Sequence, residues 1–111
     1  MEFCEVPRWL QIKQQLKNLS YDDFKANYQD DPLGVCLDVR RPDEFEPQHI
    51  KGATNVNYLS KNLIDELEEL PKDKHYYIYC RTGRRSLRVA ILMQNMGYKV
   101  YNLDGGLVNA E

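Results

Sequence analysis

The sequence predicts one α/β domain built on parallel β-strands, and two observations support this fold class. Residues 35–39, 76–79 and 100–103 are rich in β-branched and aromatic residues, and the first run is almost continuously apolar, as in strands buried on both faces. Helical patterns separate these runs, and strands that alternate with helices form a parallel sheet. A chain of 111 residues fits a single domain.

The N-terminal part of the chain contains three helix signals. Apolar residues at helical spacing from Trp9 to Leu19, after Pro7, predict an amphipathic first helix. Ser20, followed by acidic residues, predicts the start of a second short helix, and Pro42 predicts a third.

The rest of the chain continues the alternation. Residues 54–58 are a weaker strand candidate, and leucine spacing over 63–70 predicts a helix that Pro71 ends. A helix is predicted from Ser86 to Met96, with Gly97 as its stop signal.

Composition and charge narrow the function classes. A formal net charge of −2 predicts no general affinity for nucleic acid or for an anionic membrane surface. No apolar run approaches the roughly 20 residues that span a bilayer, so we expect neither a nucleic-acid nor a membrane partner. Three cysteines without metal-binding spacing predict free thiols, no bound metal and a reducing compartment, the cytoplasm.

The polar loop that starts at Cys80 carries the strongest chemical signal. Cys80 ends a predicted strand, so it should lie at the carboxyl edge of the sheet, where open α/β folds bind ligands. The next helix directs its positive end at the loop, and Gly83 lets N–H groups curl inward around an anion. Arg81, Arg84 and Arg85 add positive charge. We expect a stabilised thiolate or persulfide, exposed at the helix N-terminus.

Two simpler interpretations compete with this one. A free cysteine is most often a buried structural residue, and a run of arginines is most often a solvated turn. Apolar burial does not fit three arginines and a glycine, and a solvated turn does not explain the cysteine among them. We therefore favour a nucleophilic role for Cys80.

Four motifs, in this order, resemble the rhodanese homology domain over roughly residues 18–108. They are LDVR with EF (37–40 and 44–45), HIKGATNV (49–56), CRTGRRS (80–86) and NLDGG (102–106). The resemblance implies a three-layer α/β/α fold with a central parallel sheet of about four to five strands, formed by residues 18–111. We expect residues 1–17 to be a helical extension packed on that domain.

The resemblance also implies the reaction of a sulfurtransferase. Cys80 would take a sulfur atom from thiosulfate or a persulfide donor and pass it to cyanide or a thiol, including a protein thiol. This is covalent catalysis through a cysteine persulfide, and it uses no metal and no organic cofactor. The alternative is a sulfur-relay or protein-binding module with little activity on free thiosulfate.

Loop length separates sulfur transfer from phosphate chemistry on related folds. The six residues from Cys80 to Arg85 resemble the loop of the sulfurtransferases, whereas related phosphatases and arsenate reductases have seven. Their phosphate-binding arginine stands where this chain has Ser86. A shorter ring suits a sulfur atom better than a phosphate, so we favour sulfur transfer.

Each residue of the loop has its own expected role. The main-chain N–H groups of the ring are expected to bind the persulfide, so the candidate substrate-binding residues are Arg81, Thr82, Gly83, Arg84, Arg85 and Ser86. Arg81 and Arg84 are expected to face solvent and attract an anionic donor. Arg85 is either a donor-binding cation or a brace that pairs with an acid. The Ser86 hydroxyl either caps the helix or contacts the thiolate, and we favour the cap.

For five residues outside the loop, the sequence gives a weaker indication of their roles. Asp38 and Arg40 end another predicted strand, so they should approach the same sheet edge, as ion-paired supports rather than reacting groups. His49 is expected to be architectural and Cys36 to lie in the core. Cys4 is near a terminus with no activating neighbour, and we expect it to be incidental.

The sequence departs from the family pattern after Gly105-Gly106. Many members continue there with a helix that carries an aromatic residue, whereas LVNAE follows here, so we expect a short closing helix. The segment that contains Trp9 is a candidate for the missing cover beside the loop.

Overall fold

Five parallel strands form the central sheet of this protein. The computed structural model describes residues 7–110, with the side chains of residues 109 and 110 excepted. The strands within that range are β1 (Asn18–Leu19), β2 (Gly34–Asp38), β3 (Thr54–Asn55), β4 (His75–Tyr79) and β5 (Lys99–Leu103), in the spatial order β1-β5-β4-β2-β3. Every neighbouring pair is parallel, so the predicted fold class is confirmed.

Helices cover both faces of this sheet. They are α1 (Arg8–Gln14), α2 (Tyr21–Gln29), α3 (Pro42–Phe45), α4 (Leu63–Glu68), α5 (Arg84–Asn95) and a closing 3-10 helix (Leu107–Ala110). None of the helices in residues 7–110 has the length and apolar character needed to cross a membrane.

Alternation along the strands divides the core into two layers. On β4, Ile78 faces one side and packs in a cluster with Met93 of α5. Tyr79 faces the other side and packs edge-on against Phe24 of α2, with 6.4 Å between ring centroids. Because successive side chains of a strand point to opposite faces, both layers are filled from the same short strands.

The first helix is shorter than its apolar spacing predicts. The prediction that it extends to Leu19 is wrong: α1 ends at Gln14, and Leu19 lies in β1, paired with Leu103. The side-chain amide of Asn18 donates to the carbonyl oxygen of Lys13 at 2.7 Å. It thereby satisfies a carbonyl at the helix end, and the chain leaves the helix to join the sheet.

Helix α1 packs on α5 beside the start of that helix. The guanidinium of Arg84 lies over the ring of Trp9, 3.9 Å from its centroid. Lys13 Nζ pairs with Asp104 Oδ1 at 2.6 Å. These contacts place Trp9 beside the start of α5 and Lys13 beside the end of β5. The covering role of the Trp9 segment and the boundary between residues 17 and 18 stay predictions.

Trp9→Ala is expected to destabilise the protein by about 1 kcal/mol, because it removes the cation–π contact with Arg84 and part of a half-buried ring. For a domain of this size the melting temperature should fall by roughly 5 °C, measured by circular dichroism. Leu59→Ala is the control, since Leu59 is 57% exposed and its truncation should change little. Equal melting temperatures for wild type and Trp9→Ala would contradict a covering role.

Candidate active site

Main-chain N–H groups converge on the sulfur of Cys80. Cys80 follows the last residue of β4, at the carboxyl edge of the sheet. The N–H of Gly83 donates to Sγ at 3.1 Å, and the N–H of Ser86 donates to it at 3.3 Å. Of the six ring N–H groups expected to point inward, these two contact the sulfur. Such donors stabilise a negative charge on sulfur, whether a thiolate or a persulfide.

Gly83 sets the start of the helix that follows the loop. Its φ of 88° lies in the left-handed region that glycine adopts without strain, and Gly83 is the residue that precedes the first turn. Helix α5 therefore begins at Arg84, two residues earlier than predicted. The favoured capping role of Ser86 is wrong, because Ser86 lies inside the first turn.

The hydroxyl of Ser86 instead belongs to the sulfur site. Ser86 is fully buried, and its Oγ lies 3.5 Å from Cys80 Sγ. The hydroxyl also donates to the carbonyl oxygen of Gly83 at 3.3 Å. Main chain and side chain of Ser86 thus both contact atoms of the ring. Contact with the sulfur was the second of the two roles expected for the Ser86 hydroxyl.

The sulfur of Cys80 is not exposed. Cys80 has 0% of its surface accessible, so the expectation of an open thiol at the helix N-terminus is wrong. The ring curls tightly enough for its own backbone to reach Sγ, and residues 105–108, which we call the strap, lie against that backbone. The N–H groups of Leu107 and Val108 donate to the carbonyl oxygens of Cys80 and Arg81, each at 3.0 Å.

Two glycines make the approach of the strap possible. A Cβ atom on Gly106 would lie 2.5 Å from the carbonyl oxygen of Arg81, and one on Gly83 would lie 3.1 Å from the nitrogen of Gly105. This contact between strap and ring was not predicted from the sequence. The consecutive pair Gly105-Gly106 was the available signal, because adjacent glycines permit the close approach of two backbones.

The arginines of the loop have different surroundings. Arg85 donates to Glu44 Oε1 at 2.9 Å, and its guanidinium lies 4.6 Å from the centroid of the Tyr58 ring. The geometry favours the brace over the donor-binding cation. Arg81 and Thr82 are exposed at the ring, whereas Arg84, also exposed, stacks on Trp9.

Asp38 and Arg40 form a buried support beside the loop. Asp38 is fully buried, and it accepts hydrogen bonds from the Arg40 side chain at 2.7 Å and from the Arg40 main-chain N–H at 2.8 Å. Arg40 also donates to the carbonyl oxygen of Gln48 at 2.6 Å. The pair ties the end of β2 to the loop after α3.

His49 and Cys36 have structural surroundings. The ring of His49 stacks on Phe45 with 3.8 Å between centroids, and its Nδ1 is 2.8 Å from the Phe45 carbonyl oxygen. Cys36 is buried in the core, where burial and then the charge of Asp38 raise the pKa of its thiol to about 12. Cys36 is therefore protonated near neutral pH. Cys4 lies outside the described residues.

Glu44→Gln is expected to weaken the brace on Arg85 in a pH-dependent way. Partial burial of Glu44 opposes its ionisation, but hydrogen bonds from Arg41 and Arg85 outweigh burial and lower the pKa of Glu44 below its ordinary value. A lowered carboxylate pKa contributes stability above the ordinary value and loses it as the pH falls. Urea denaturation should show a loss of at most about 1 kcal/mol at pH 7. This loss shrinks below the ordinary carboxyl pKa of about 4.3 and disappears below the lowered pKa of Glu44.

Asp43→Asn is the matched control for this change. Asp43 is the neighbouring acid, and its side chain is 70% exposed beside Arg41. Its neutralisation should change the free energy of unfolding less than Glu44→Gln does. Equal effects at the two positions, or an effect at Glu44 that persists below pH 3, would contradict the brace.

Known proteins are similar to this chain in sequence over most of its length. The family model of the rhodanese-like domain matches residues 20–110. The chain is 38% identical over 92 residues to an uncharacterized protein, YqhL, of Bacillus subtilis, covering 82% of this chain and 69% of that protein. It is 36% identical over 76 residues to a sulfurtransferase of Allochromatium vinosum, covering 67% of this chain and 68% of the relative.

Solved structures share the fold. A rhodanese-like domain protein from Staphylococcus aureus superimposes with a TM-score of 0.75 at 25% identity, over 86% of this chain and 92% of that one. Reduced CoADR-RHD from Bacillus anthracis gives a TM-score of 0.76 at 33% identity, over 87% of this chain and 17% of that larger chain. With the family model matched over most of its length, this chain belongs to the rhodanese-like domain family.

Proposed function

We propose that this protein is a sulfurtransferase that moves a sulfane sulfur from thiosulfate or a persulfide donor to a thiol or cyanide, through a persulfide on Cys80. The observation that carries the proposal is the pair of N–H groups, from Gly83 and Ser86, that donate to Cys80 Sγ. The sulfurtransferase of Allochromatium vinosum among its relatives gives further support.

In the first half-reaction the thiolate of Cys80 attacks the outer sulfur of the donor. With thiosulfate, a new S–S bond forms to Cys80, the S–S bond of the donor breaks, and sulfite leaves with the bonding electron pair. The two N–H groups then face the charge that remains on the enzyme-bound persulfide. Exposed Arg81 attracts the anionic donor.

In the second half-reaction the acceptor attacks the outer sulfur of that persulfide. The S–S bond to Cys80 breaks, the electron pair returns to Cys80 Sγ, and the acceptor leaves as thiocyanate or as a new persulfide. The enzyme is then ready for another donor, which is the double-displacement pattern of covalent catalysis.

Buried Cys80 requires a movement before either step. Because Sγ has no accessible surface, donor and acceptor reach it only when the strap or the ring moves aside. Backbone hydrogen bonds join the strap to the ring, and Leu107 packs on the cluster that contains Phe24. Opening of such a short segment breaks fewer contacts than unfolding of the whole core.

The same burial favours a second candidate, a sulfur relay. A partner protein that displaces the strap on docking would deliver or collect sulfur directly, and free thiosulfate would then be a poor donor. For both candidates we propose the cytoplasm as the compartment, because the unpaired thiols of Cys36 and Cys80 persist under reducing conditions.

One set of assays tests the proposal. The protein is mixed with thiosulfate and cyanide, and thiocyanate is measured over time; steady production supports the enzyme. No turnover, together with a gain of about 32 Da on Cys80, would favour the relay over the enzyme. Hydrolysis of an aryl phosphate at a comparable rate would overturn both candidates, since it would assign the ring to phosphate chemistry.

A further inference from the structure

The side-chain oxygen of Asn102 is a buried hydrogen-bond acceptor with no donor among the residues that the structure describes. Asn102 lies in β5 and is 1% exposed. Its main-chain N–H donates to the Lys17 carbonyl oxygen at 2.8 Å, and its Nδ2 donates to Asn18 Oδ1 at 3.1 Å. Because a buried amide oxygen without a partner is unfavourable, we expect a donor from outside the described residues at Asn102 Oδ1.

The neighbouring amide of Asn18 fixes which atom of Asn102 is left unpaired. Asn18 Nδ2 donates to the carbonyl oxygens of Lys13, at 2.7 Å, and Leu16, at 3.1 Å. Since both N–H donors of Asn18 are used there, its oxygen is the atom that faces Asn102. Exchange of the amide atoms of Asn102 would bring two oxygens together, so Asn102 must meet Asn18 with its NH₂ group. The unpaired atom of Asn102 is therefore an acceptor.

Asn102 lines a pocket of about 320 Å³ between α1 and the start of α5. Trp9 and Lys13 of α1, Arg84 of α5 and Asp104 contribute to its walls. The volume is near the lower end of the range for ligand pockets, roughly 300–1,000 Å³, whereas one ordered water needs only about 10–15 Å³. The pocket therefore fits a small organic molecule that carries a donor group for Asn102.

Charges of both signs line this pocket. Lys13 Nζ pairs with Asp104 Oδ1 at 2.6 Å, and the Asp104 side chain is 46% exposed. Arg84 is exposed, stacks on Trp9 and makes no ion pair with the residues that the structure describes. A guanidinium without an acid favours a carboxylate, while the acceptors on Asp104 and Asn102 favour an ammonium group. A ligand with both groups matches the lining best.

The pocket is separate from the sulfur site and depends on the N-terminal segment. The rhodanese-like family model begins at residue 20, whereas Trp9 and Lys13 precede that residue. Gly83 and Gly105 also line the pocket, so a ligand there touches the backbone of the ring and of the strap. Cys80 is not among the lining residues.

We propose that this pocket binds a small zwitterion, whose ammonium group donates to Asn102 Oδ1 and whose carboxylate pairs with Arg84. The carbon chain between the two charged groups lies against Trp9 and Leu87, which also line the pocket. A short amino acid has this chemistry. No bond of the ligand forms or breaks at the pocket, so the inference goes beyond the proposed sulfur transfer and does not rest on it.

The fluorescence of Trp9 provides the test, because Trp9 is the single tryptophan of the chain and lines the pocket. The protein is titrated with β-alanine and, in parallel, with propionate, which has the same carboxylate and carbon chain but no ammonium group. β-Alanine is expected to bind about 10-fold more tightly, since only its ammonium group pairs with Asn102 Oδ1. Nitrogen-15-labelled protein should show a shifted side-chain amide signal of Asn102 in NMR spectra when β-alanine binds.

Two results of these titrations would overturn the inference. They are equal affinities for β-alanine and propionate, and the absence of a saturable change with either compound. Both would leave water, or another part of the chain, as the partner of Asn102 Oδ1.

Variants of the pocket separate its two polar ends. Asn102→Leu should abolish the preference for β-alanine over propionate, because leucine has a similar size and no acceptor; circular dichroism checks that this variant folds. Arg84→Gln leaves the buried amide unchanged and should weaken β-alanine binding roughly 3-fold. Arg88→Gln is the matched control, since Arg88 is an exposed arginine of the same helix outside the pocket, and it should bind like the wild type. Equal binding by the two arginine variants, or an Asn102→Leu variant that keeps the preference, would contradict the assignment.

Discussion

Replacement of Cys80 by serine should reduce thiocyanate formation by on the order of 10³-fold or more, to the background without enzyme. A hydroxyl oxygen cannot form the persulfide, and the N–H groups of Gly83 and Ser86 would then surround an unreactive atom. Serine is close to cysteine in size, so the melting temperature should change far less than the activity. The measurement is the initial rate of thiocyanate formation from thiosulfate and cyanide.

Cys36→Ala is the matched control for that experiment. Cys36 is the other described cysteine, and its thiol is protonated at neutral pH because burial raises its pKa to about 12. Its replacement should retain the wild-type rate and cost some stability through the lost sulfur packing. If the Cys36→Ala variant lost activity, or the Cys80→Ser variant kept it, the assignment of Cys80 as the nucleophile would be wrong.

Gly106→Ala is expected to have the largest effect of any single methyl group added to this site. The new Cβ would lie 2.5 Å from the Arg81 carbonyl oxygen and 2.6 Å from the Gly83 nitrogen, and the φ of 70° is itself strained for alanine. We expect a loss of roughly 2–5 kcal/mol, the sum of left-handed strain and overpacking, unless the strap is pushed off the ring. A destabilised site and a displaced strap should both change the rate of sulfur transfer, because the ring and the strap pack backbone to backbone.

Gly97→Ala separates strain from contact. Gly97 has a φ of 97°, but the nearest atom to an added Cβ is the Lys72 Nζ, 3.7 Å away. We expect a cost of about 1–2 kcal/mol from left-handed strain alone, with no change in the rate of sulfur transfer. Urea denaturation and the thiocyanate assay are run on both variants. If Gly106→Ala resembles Gly97→Ala in both measurements, the strap does not control the ring.

Local sequence patterns predicted the elements that carry strong signals. The strands around Cys36, Ile78 and Val100 and the helix that contains Met93 were recognisable from composition and spacing. The order of the strands was not, because it depends on pairing between distant segments. Leu19 shows the same limit: its spacing fits the first helix, but its pairing with Leu103 places it in the sheet.

The placement of the residues at the candidate site was predictable, but their accessibility was not. Cys80 at a strand end and Gly83 before a helix are local features, and the structure places them as the sequence indicated. The packing around Cys80 includes the strap, whose backbone reaches the ring from 27 residues away in the chain at the bond from Leu107 to Cys80. The pair Gly105-Gly106 permits a close backbone contact, but it does not indicate which segment the strap meets.

A persulfide on Cys80 is tested by the mass of the protein after treatment with thiosulfate. We expect a gain of about 32 Da per chain. The added sulfur should map to the peptide that contains Cys80, survive desalting and disappear on addition of cyanide. Unmodified protein under conditions in which it is folded, or sulfur found on Cys36 instead, would show that the thiol beneath the strap does not accept sulfur.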